Sequence, residues 1–321
     1  MRCQLLLVVT VAIITLDLAA QTSRFATANS YVERGRKFYE RGDLGKASED
    51  FDLAIAIDPT MAAAYYNRGL VRLQKMELDS ALADFNRAIQ LNLRLSEAYA
   101  NRGVAWQSEG NFDEALKDYT KVIELTPRAL TGWINRGLAW LEQGSWQAAL
   151  ADFNRALEIN GKSVEAFFGR GVAYEMAGDL ASAIKDHTKE IALNPNHPSA
   201  WDGRSVDYQR LGAWEKSLSD SHQAIALKAD EPRFWFNRGT TYRFKGEFAK
   251  AEADFSQALV LAPNFTDALA ARGLTRLKMG KAAEAQADFE RCLQINPKLK
   301  AELEMLKMET LNQATTQRKE R

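Results

Sequence analysis

Three histidines are the side chains of this 321-residue chain best suited to bind a metal ion or to transfer a proton: His187, His197 and His222. We find around them no Cys or carboxylate grouping with the spacing of metal ligands. The sequence also shows no Gly-rich phosphate-binding loop and no nucleophile turn of a hydrolase. We therefore expect no metal, no cofactor and no catalytic residues, and we predict that the protein is not an enzyme.

A second set of charged residues recurs at a constant interval. An arginine returns every 34 residues, and an aspartate follows each arginine 16 residues later. The pairs are Arg34 and Asp50, Arg68 and Asp84, Arg102 and Asp118, Arg136 and Asp152, Arg170 and Asp186, Arg204 and Asp220, Arg238 and Asp254, and Arg272 and Asp288. A planar guanidinium can form two hydrogen bonds with one carboxylate. We expect structural ion pairs, within a repeat or between neighbouring repeats; a ladder of anion-binding sites is the alternative.

These arginines mark an internal repeat. If each arginine is given position 7, the first repeat begins at Ala28 and the eighth ends at Leu299, without insertion or deletion. Position 15 is Gly in every repeat except the second, which has Met76. Position 20 is Ala in seven repeats, position 24 is aromatic in six, and position 32 is Pro in five. A constant period of this length is typical of helical arrays.

Each repeat has the pattern of two helices separated by a turn. In the third repeat Tyr99 and Trp106 fall on one face of the first helix, and Ala115 and Tyr119 fall on one face of the second. Gly110 lies between them, where a helix end favours a residue that tolerates positive φ. Asn111 and Glu114, three residues apart, predict a capping box for the second helix.

The repeat resembles the tetratricopeptide repeat family, whose pattern has Gly at positions 8 and 15, Ala at positions 20 and 27, Pro at position 32 and aromatic residues at positions 4, 11 and 24. The resemblance implies an all-α fold, a right-handed α-solenoid (superhelix) of eight helix-turn-helix repeats with a C-terminal capping helix. The expected repeats are residues 28–61, 62–95, 96–129, 130–163, 164–197, 198–231, 232–265 and 266–299. Residues 21–27 form a short lead, and residues 300–321 form the capping helix and a polar tail.

The first twenty residues differ from the repeats. Arg2 precedes an apolar run over residues 5–16, and small residues follow up to Ala20. This pattern predicts a signal peptide that is cleaved after Ala20, and therefore an exported protein, periplasmic or secreted. An uncleaved N-terminal membrane anchor is the alternative, although the run is short for a membrane span.

The resemblance implies that the first helices line a concave groove. Asparagine stands at position 6 in four repeats, as Asn67, Asn101, Asn135 and Asn237. The pattern is similar to the repeat domain of the O-GlcNAc transferases, in which such amides bind the backbone of an extended peptide. An amide supplies both a donor and an acceptor, as a peptide unit requires; hydrogen bonds within the array are the alternative. The groove is otherwise expected to be apolar, with Tyr66, Leu70, Leu73, Val104, Ile134, Leu138 and Phe168.

Repeats 5 and 6 depart most from the pattern. Polar residues occupy packing positions there, as His187, Glu190, Ser205, Ser217 and Ser221. Because each repeat is stabilised mainly by its neighbours, we expect a weak joint over residues 185–225.

Together these features predict a non-catalytic scaffold that binds an extended peptide or a partner helix in its groove. A self-assembling structural protein and an adaptor subunit of an envelope-associated enzyme complex are the alternatives, and a homo-oligomer stays open. The 42 basic and 42 acidic residues give no basic surface for nucleic acid. We expect a protein or peptide partner, no small-molecule substrate, and membrane contact only through an uncleaved N-terminal segment.

Overall fold

The computed structural model of the chain describes residues 22–319, with side chains described as far as residue 310. The predicted signal peptide lies outside the described residues. Those residues form helices and turns and contain no strand. None of their helices combines the length and apolar character that a membrane span requires.

The described part of the chain divides into two compact halves, residues 22–161 and residues 162–319. The N-terminal half contains α1 (22–40), α2 (Leu44–Ile57), α3 (Ala62–Gln74), α4 (Leu78–Leu91), α5 (Ser96–Ser108), α6 (Phe112–Leu125), α7 (Leu130–Glu142) and α8 (Trp146–Ile159). The C-terminal half contains α9 (Val164–Ala177), α10 (Leu180–Leu193), α11 (Pro198–Arg210), α12 (Trp214–Leu227), α13 (Pro232–Lys245), α14 (Phe248–Leu261), α15 (Thr266–Lys278), α16 (Ala282–Ile295), a 3₁₀ turn (Pro297–Leu299) and α17 (Lys300–Lys319).

The helices follow one another as packed pairs. The two helices of each repeat pack together, and within each half the second helix also packs against the first helix of the next repeat. Helix α17 packs against α15 and buries Leu303 against the last repeat. The all-α solenoid class is therefore confirmed, and so is a helix that covers the last repeat.

A left-handed turn separates the two helices of each repeat. The seven glycines at position 15 have φ between 71° and 84°, as at Gly110 with φ 80°. Met76 holds the same turn in repeat 2 with φ 60°, the only non-glycine residue with positive φ in the described chain. A side chain in this conformation costs about 1–2 kcal/mol because Cβ crowds the following carbonyl oxygen.

The capping box predicted for the helix after this turn is wrong. Asn111 is the N-cap residue of α6, but its side chain forms no capping hydrogen bond. Its amide instead donates to the Glu109 carboxylate over 3.0 Å. A hydrogen bond to a charged acceptor competes successfully with the cap at this exposed position.

Position 8 brings the two helices of a repeat close together. At Gly103 an added Cβ atom would lie 2.6 Å from Cε1 of the buried Tyr119 ring. Gly171 meets the His187 ring at 2.8 Å in the same way. A ring at position 24 therefore requires glycine at position 8 across the helix interface.

All eight Arg–Asp pairs form, and each lies within a single repeat. The arginine Nε and Nη2 atoms donate to the two oxygens of one aspartate over 2.6–3.0 Å. The aspartates are buried, with at most 5% of their surface exposed. The pairs therefore hold the first helix of each repeat in register with the second.

In repeats 2, 3, 4, 6 and 8 the same arginine also donates to the preceding repeat. Arg102 Nη1 donates to Asn86 over 2.6 Å, and Arg136 Nη1 donates to Thr120 over 3.0 Å. In seven repeats the guanidinium lies over the ring at position 4, 4.9–5.6 Å from the ring centre, as Arg136 does over Trp133. The arginine thus links three elements of the array.

We predict that Asp118→Ala lowers the free energy of unfolding by about 3 kcal/mol, because it leaves the Arg102 guanidinium without its partner in a largely buried setting. Urea unfolding followed by circular dichroism measures the loss. Asp113→Ala is the control, since Asp113 is exposed on the same helix. Equal losses for the two variants would contradict the idea that the buried Arg102 charge requires Asp118 as its partner.

We predict that Met76→Gly raises the free energy of unfolding by about 1 kcal/mol, because glycine adopts positive φ without steric cost. Thermal unfolding of the two proteins measures the gain. Met76→Ala is the control, since it removes the exposed side chain but keeps Cβ. If alanine stabilises as much as glycine, the left-handed backbone is not the cause.

Candidate functional site

An open pocket of about 290 Å³ lies between the first helices of repeats 2, 3 and 4. Four predicted groove residues line it: Tyr66 of α3, Asn101 and Val104 of α5, and Asn135 of α7. Because these residues recur on successive first helices, the helix stacking places them side by side. The pocket offers apolar surface together with amide groups.

The asparagine amides in this groove are partly engaged within the array. Asn67 donates from Nδ2 to the Ala63 carbonyl over 2.7 Å. Asn101 donates from Nδ2 to the Glu97 carbonyl over 2.9 Å and to the Tyr66 hydroxyl at 3.2 Å. These bonds orient both side chains. They use both N–H groups of Asn101 and one N–H group of Asn67, and they leave the two carbonyl oxygens available to accept hydrogen bonds.

A second pocket of about 300 Å³ adjoins the first and shares Val104 and Asn135 with it. Leu138 of α7 lines this pocket, and so do Gln107 and Glu142, whose side chains are 2.8 Å apart. The sequence analysis did not single out Gln107 or Glu142, since their positions vary between repeats.

The other predicted groove residues of the N-terminal half, Asn67, Leu70, Leu73 and Ile134, lie outside these two pockets. All four are half-buried between helices. Their apolar surface is therefore shared between the repeat core and the groove.

In the C-terminal half the predicted groove residues Asn237 and Phe168 contact side chains of the array itself. Asn237 donates from Nδ2 over 2.9 Å to Asp202, a buried carboxylate that Arg233 also approaches at 3.2 Å. Burial raises the pKa of Asp202 to about 6 despite these partners. Phe168 makes an edge contact with the His197 ring, with centroids 6.4 Å apart. The Asn237 amide therefore forms a hydrogen bond within the array, which is the alternative to binding a peptide backbone.

The structure places carboxylates around His187 that no ligand-like spacing in the sequence indicated. His187 is buried, with Nε2 2.8 Å from a Glu175 oxygen and Nδ1 3.3 Å from a Glu190 oxygen. The other Glu190 oxygen lies 2.7 Å from Nδ1 of His197. Burial opposes protonation of His187, but the bonds to Glu175 and Glu190 outweigh it and raise its pKa to about 9.

Asp207 completes this cluster from the next first helix, α11. It is fully buried, and its Oδ2 atom lies 3.8 Å from His187 Nε2. Neither of its oxygens has a hydrogen-bond partner in the described part of the chain. Burial, together with the charge of Glu175, raises its pKa to about 7. The donor atoms of Glu175, His187 and Asp207 all lie within 4.8 Å of one another.

The repeat alignment holds a signal for this cluster. Asp207 stands at position 10, where repeats 2 to 8 otherwise have the buried residues Val71, Ala105, Ala139, Ala173, Thr241 and Thr275. Glu190 stands at position 27, where the other repeats have Ala, Val or Cys. Positions 10, 24 and 27 pack against one another at this place, and all three carry ionisable side chains here: Asp207, His187 and Glu190.

The serines of repeat 6 form a separate hydroxyl cluster. Ser205 Oγ lies 2.8 Å from Ser221 Oγ, and Ser217 Oγ lies 3.0 Å from Thr241 Oγ1. All four side chains are buried. Serine at position 8 is thus matched by serine at position 24, and the hydroxyls bond to each other. In this repeat, hydroxyl groups that bond to one another replace the aromatic ring that most repeats have at position 24. The weak joint over residues 185–225 stays a prediction.

Comparison with protein families gives matches along both halves. Family models described as tetratricopeptide repeat match residues 101–164, 232–265, 62–94 and 266–299, and one described as TPR repeat matches residues 35–76. Together these ranges cover more than half of the chain. None of these models matches residues 165–231, which contain the cluster around His187 and the three serines of repeat 6. A comparison with curated proteins gives no match.

Solved structures share the fold. A tetratricopeptide repeat protein from Parabacteroides merdae is 22% identical with a TM-score of 0.64, over 78% of this chain and 99% of that one. The hetero-tetramer Cut9–Hcn1 contains a chain that is 16% identical with a TM-score of 0.65; the match covers 87% of this chain and 55% of that one. Pseudomonas aeruginosa pilF is 19% identical with a TM-score of 0.56, over 63% of this chain and 92% of that one.

The 34-residue period, the paired helices of each repeat, the family matches and these structures agree, and the chain belongs to the tetratricopeptide repeat family.

Proposed function

We propose that this protein is a non-catalytic scaffold whose N-terminal half binds an extended peptide segment of a partner protein. The tetratricopeptide fold generally serves protein–protein interaction, and a chain of the Cut9–Hcn1 hetero-tetramer shares the fold. The finer proposal concerns the groove that contains Asn67, Asn101 and Asn135. It depends mainly on the pocket of about 290 Å³ around Asn101.

The chemistry of that groove suits a peptide backbone. The Asn101 carbonyl oxygen can accept a hydrogen bond from a peptide N–H, while its Nδ2 group is held by Glu97 and Tyr66. The internal bonds restrict the rotation of the side chain, so less conformational entropy is lost when a peptide binds. Val104, 36% exposed beside this amide, offers apolar contact to a peptide side chain.

We predict that the triple variant Asn67→Ala, Asn101→Ala and Asn135→Ala weakens peptide binding by about tenfold or more, because a hydrogen bond contributes on the order of 1 kcal/mol. Peptides are first selected on the wild-type protein from a phage-displayed library of unstructured sequences. Fluorescence anisotropy of labelled, selected peptides then measures the affinity of each variant.

A double variant, Asn92→Ala and Asn111→Ala, is the matched control, since both asparagines are exposed in loops. It is expected to bind like the wild type. Equal affinity of the triple variant and the wild type would overturn the asparagine ladder as the binding element. Light scattering over a range of concentrations tests the competing self-assembly, which would appear as a mass that rises with concentration.

We also propose that the protein is exported, on the basis of Arg2 and the apolar run over residues 5–16. Export would place the groove in the periplasm or outside the cell, where its partner must also occur.

A further inference from the structure

We propose that Glu175, His187 and Asp207 form a binding site for a divalent transition-metal ion such as Zn²⁺. His187 Nε2 and one oxygen from each carboxylate would be the three protein ligands. The residues come from three consecutive helices, α9, α10 and α11, so the ion would join repeats 5 and 6.

The distances suit such an ion. Zinc binds imidazole nitrogen at about 2.0–2.1 Å and carboxylate oxygen at about 2.0–2.2 Å, so donor atoms in a tetrahedral site lie roughly 3.3 Å apart. Nε2 of His187 lies 2.8 Å from a Glu175 oxygen and 3.8 Å from an Asp207 oxygen, so one distance is shorter and the other longer than this value. The three donor atoms all lie within 4.8 Å of one another, so a tetrahedral site would require shifts of the two carboxylates.

Asp207 is the observation that points to a missing positive charge. Its carboxylate is fully buried, and both of its oxygens lack a hydrogen-bond partner in the described part of the chain. A buried carboxylate without a partner is strongly disfavoured. Arg210 approaches the cluster but donates at 3.4 Å to the Glu175 main-chain carbonyl, not to Asp207. A metal ion would use the oxygen that faces His187.

The charges around the site also favour a divalent ion. Three carboxylates, from Glu175, Glu190 and Asp207, surround His187, which carries at most one positive charge. His197 adds a second imidazole on the outer side of Glu190, where it is 38% exposed. A divalent ion would balance its two ligating carboxylates, Glu175 and Asp207, whereas a single proton on His187 leaves a larger excess of negative charge.

Glu190 has the geometry of a supporting residue and not of a ligand. One of its oxygens faces Nδ1 of His187, opposite the nitrogen that faces Glu175 and Asp207. A carboxylate at this place fixes the imidazole tautomer and makes the ligating nitrogen more basic. His197 in turn holds the second Glu190 oxygen. The Glu175 side chain is 23% exposed and provides a route for the ion from solvent.

The repeat supplies variants that should fold. His187→Phe restores the ring found at position 24 in other repeats, and Asp207→Ala restores the alanine found at position 10 in repeats 3 to 5. Both replace a buried ionisable group with a residue that other repeats of this chain have at the same position. Loss of metal binding in them would therefore not reflect loss of the fold, and circular dichroism would verify this.

The test uses the untagged full chain, freed of metal by a chelator and titrated with ZnCl₂ by isothermal calorimetry. We expect one Zn²⁺ per chain and a higher melting temperature with the ion. His187→Phe and Asp207→Ala should each reduce the affinity by more than about 100-fold, and Glu190→Gln should reduce it by about 10- to 100-fold. His222→Ala is the control and should bind as the wild type does.

Two results would overturn the proposal. One is Zn²⁺ binding of equal affinity in the wild type, His187→Phe and Asp207→Ala, which would place the ion elsewhere on the chain. The other is no binding of Zn²⁺, Co²⁺ or Mn²⁺ by the wild type, with NMR showing His187 protonated at neutral pH; the cluster would then be a buried ion pair of His187 with its carboxylates.

Discussion

Each buried aspartate at position 23 receives two hydrogen bonds from one arginine, and the array depends on this contact. A carboxylate with at most a twentieth of its surface exposed requires a partner with fixed geometry. The guanidinium meets this requirement with Nε and Nη2, which leaves Nη1 for the preceding repeat and the flat face for the ring at position 4. One side chain therefore fixes the helices within a repeat and also the contact between repeats. Since such pairs add little net stability, their main effect is to specify register.

The close approach of the paired helices imposes a second constraint. Glycine at position 8 leaves room for a ring at position 24, so a change at one position calls for a change at the other. In repeat 6 Ser205 and Ser221 are both small, and their hydroxyls bond. In repeat 5 Gly171 is kept, and the ring is the imidazole of His187. The departures from the repeat pattern are thus matched substitutions across an interface.

The two halves consequently offer different chemistry. The N-terminal half keeps the usual apolar packing and presents amides and apolar surface in an open groove. The C-terminal half replaces three adjoining packing residues with His187, Glu190 and Asp207. Buried charges cost stability unless they are compensated, which is why their joint presence favours a functional explanation. Peptide binding in the N-terminal half and metal binding in the C-terminal half depend on different residues, so each can be tested independently of the other.

The amino-acid sequence by itself determined the period, the two helices of each repeat, the left-handed turn and the partners of the Arg–Asp pairs. These features recur in every repeat or depend on local backbone preferences, so pattern and spacing are sufficient to predict them. The tertiary structure decided that each ion pair lies within one repeat and not between two. It also decided that the Asn237 amide bonds to Asp202, while Asn101 faces an open pocket. The cluster of Glu175, His187 and Asp207 was not predicted, because its members stand on three helices and no local spacing connects them. Only the packing of α10 against both α9 and α11 brings these side chains together.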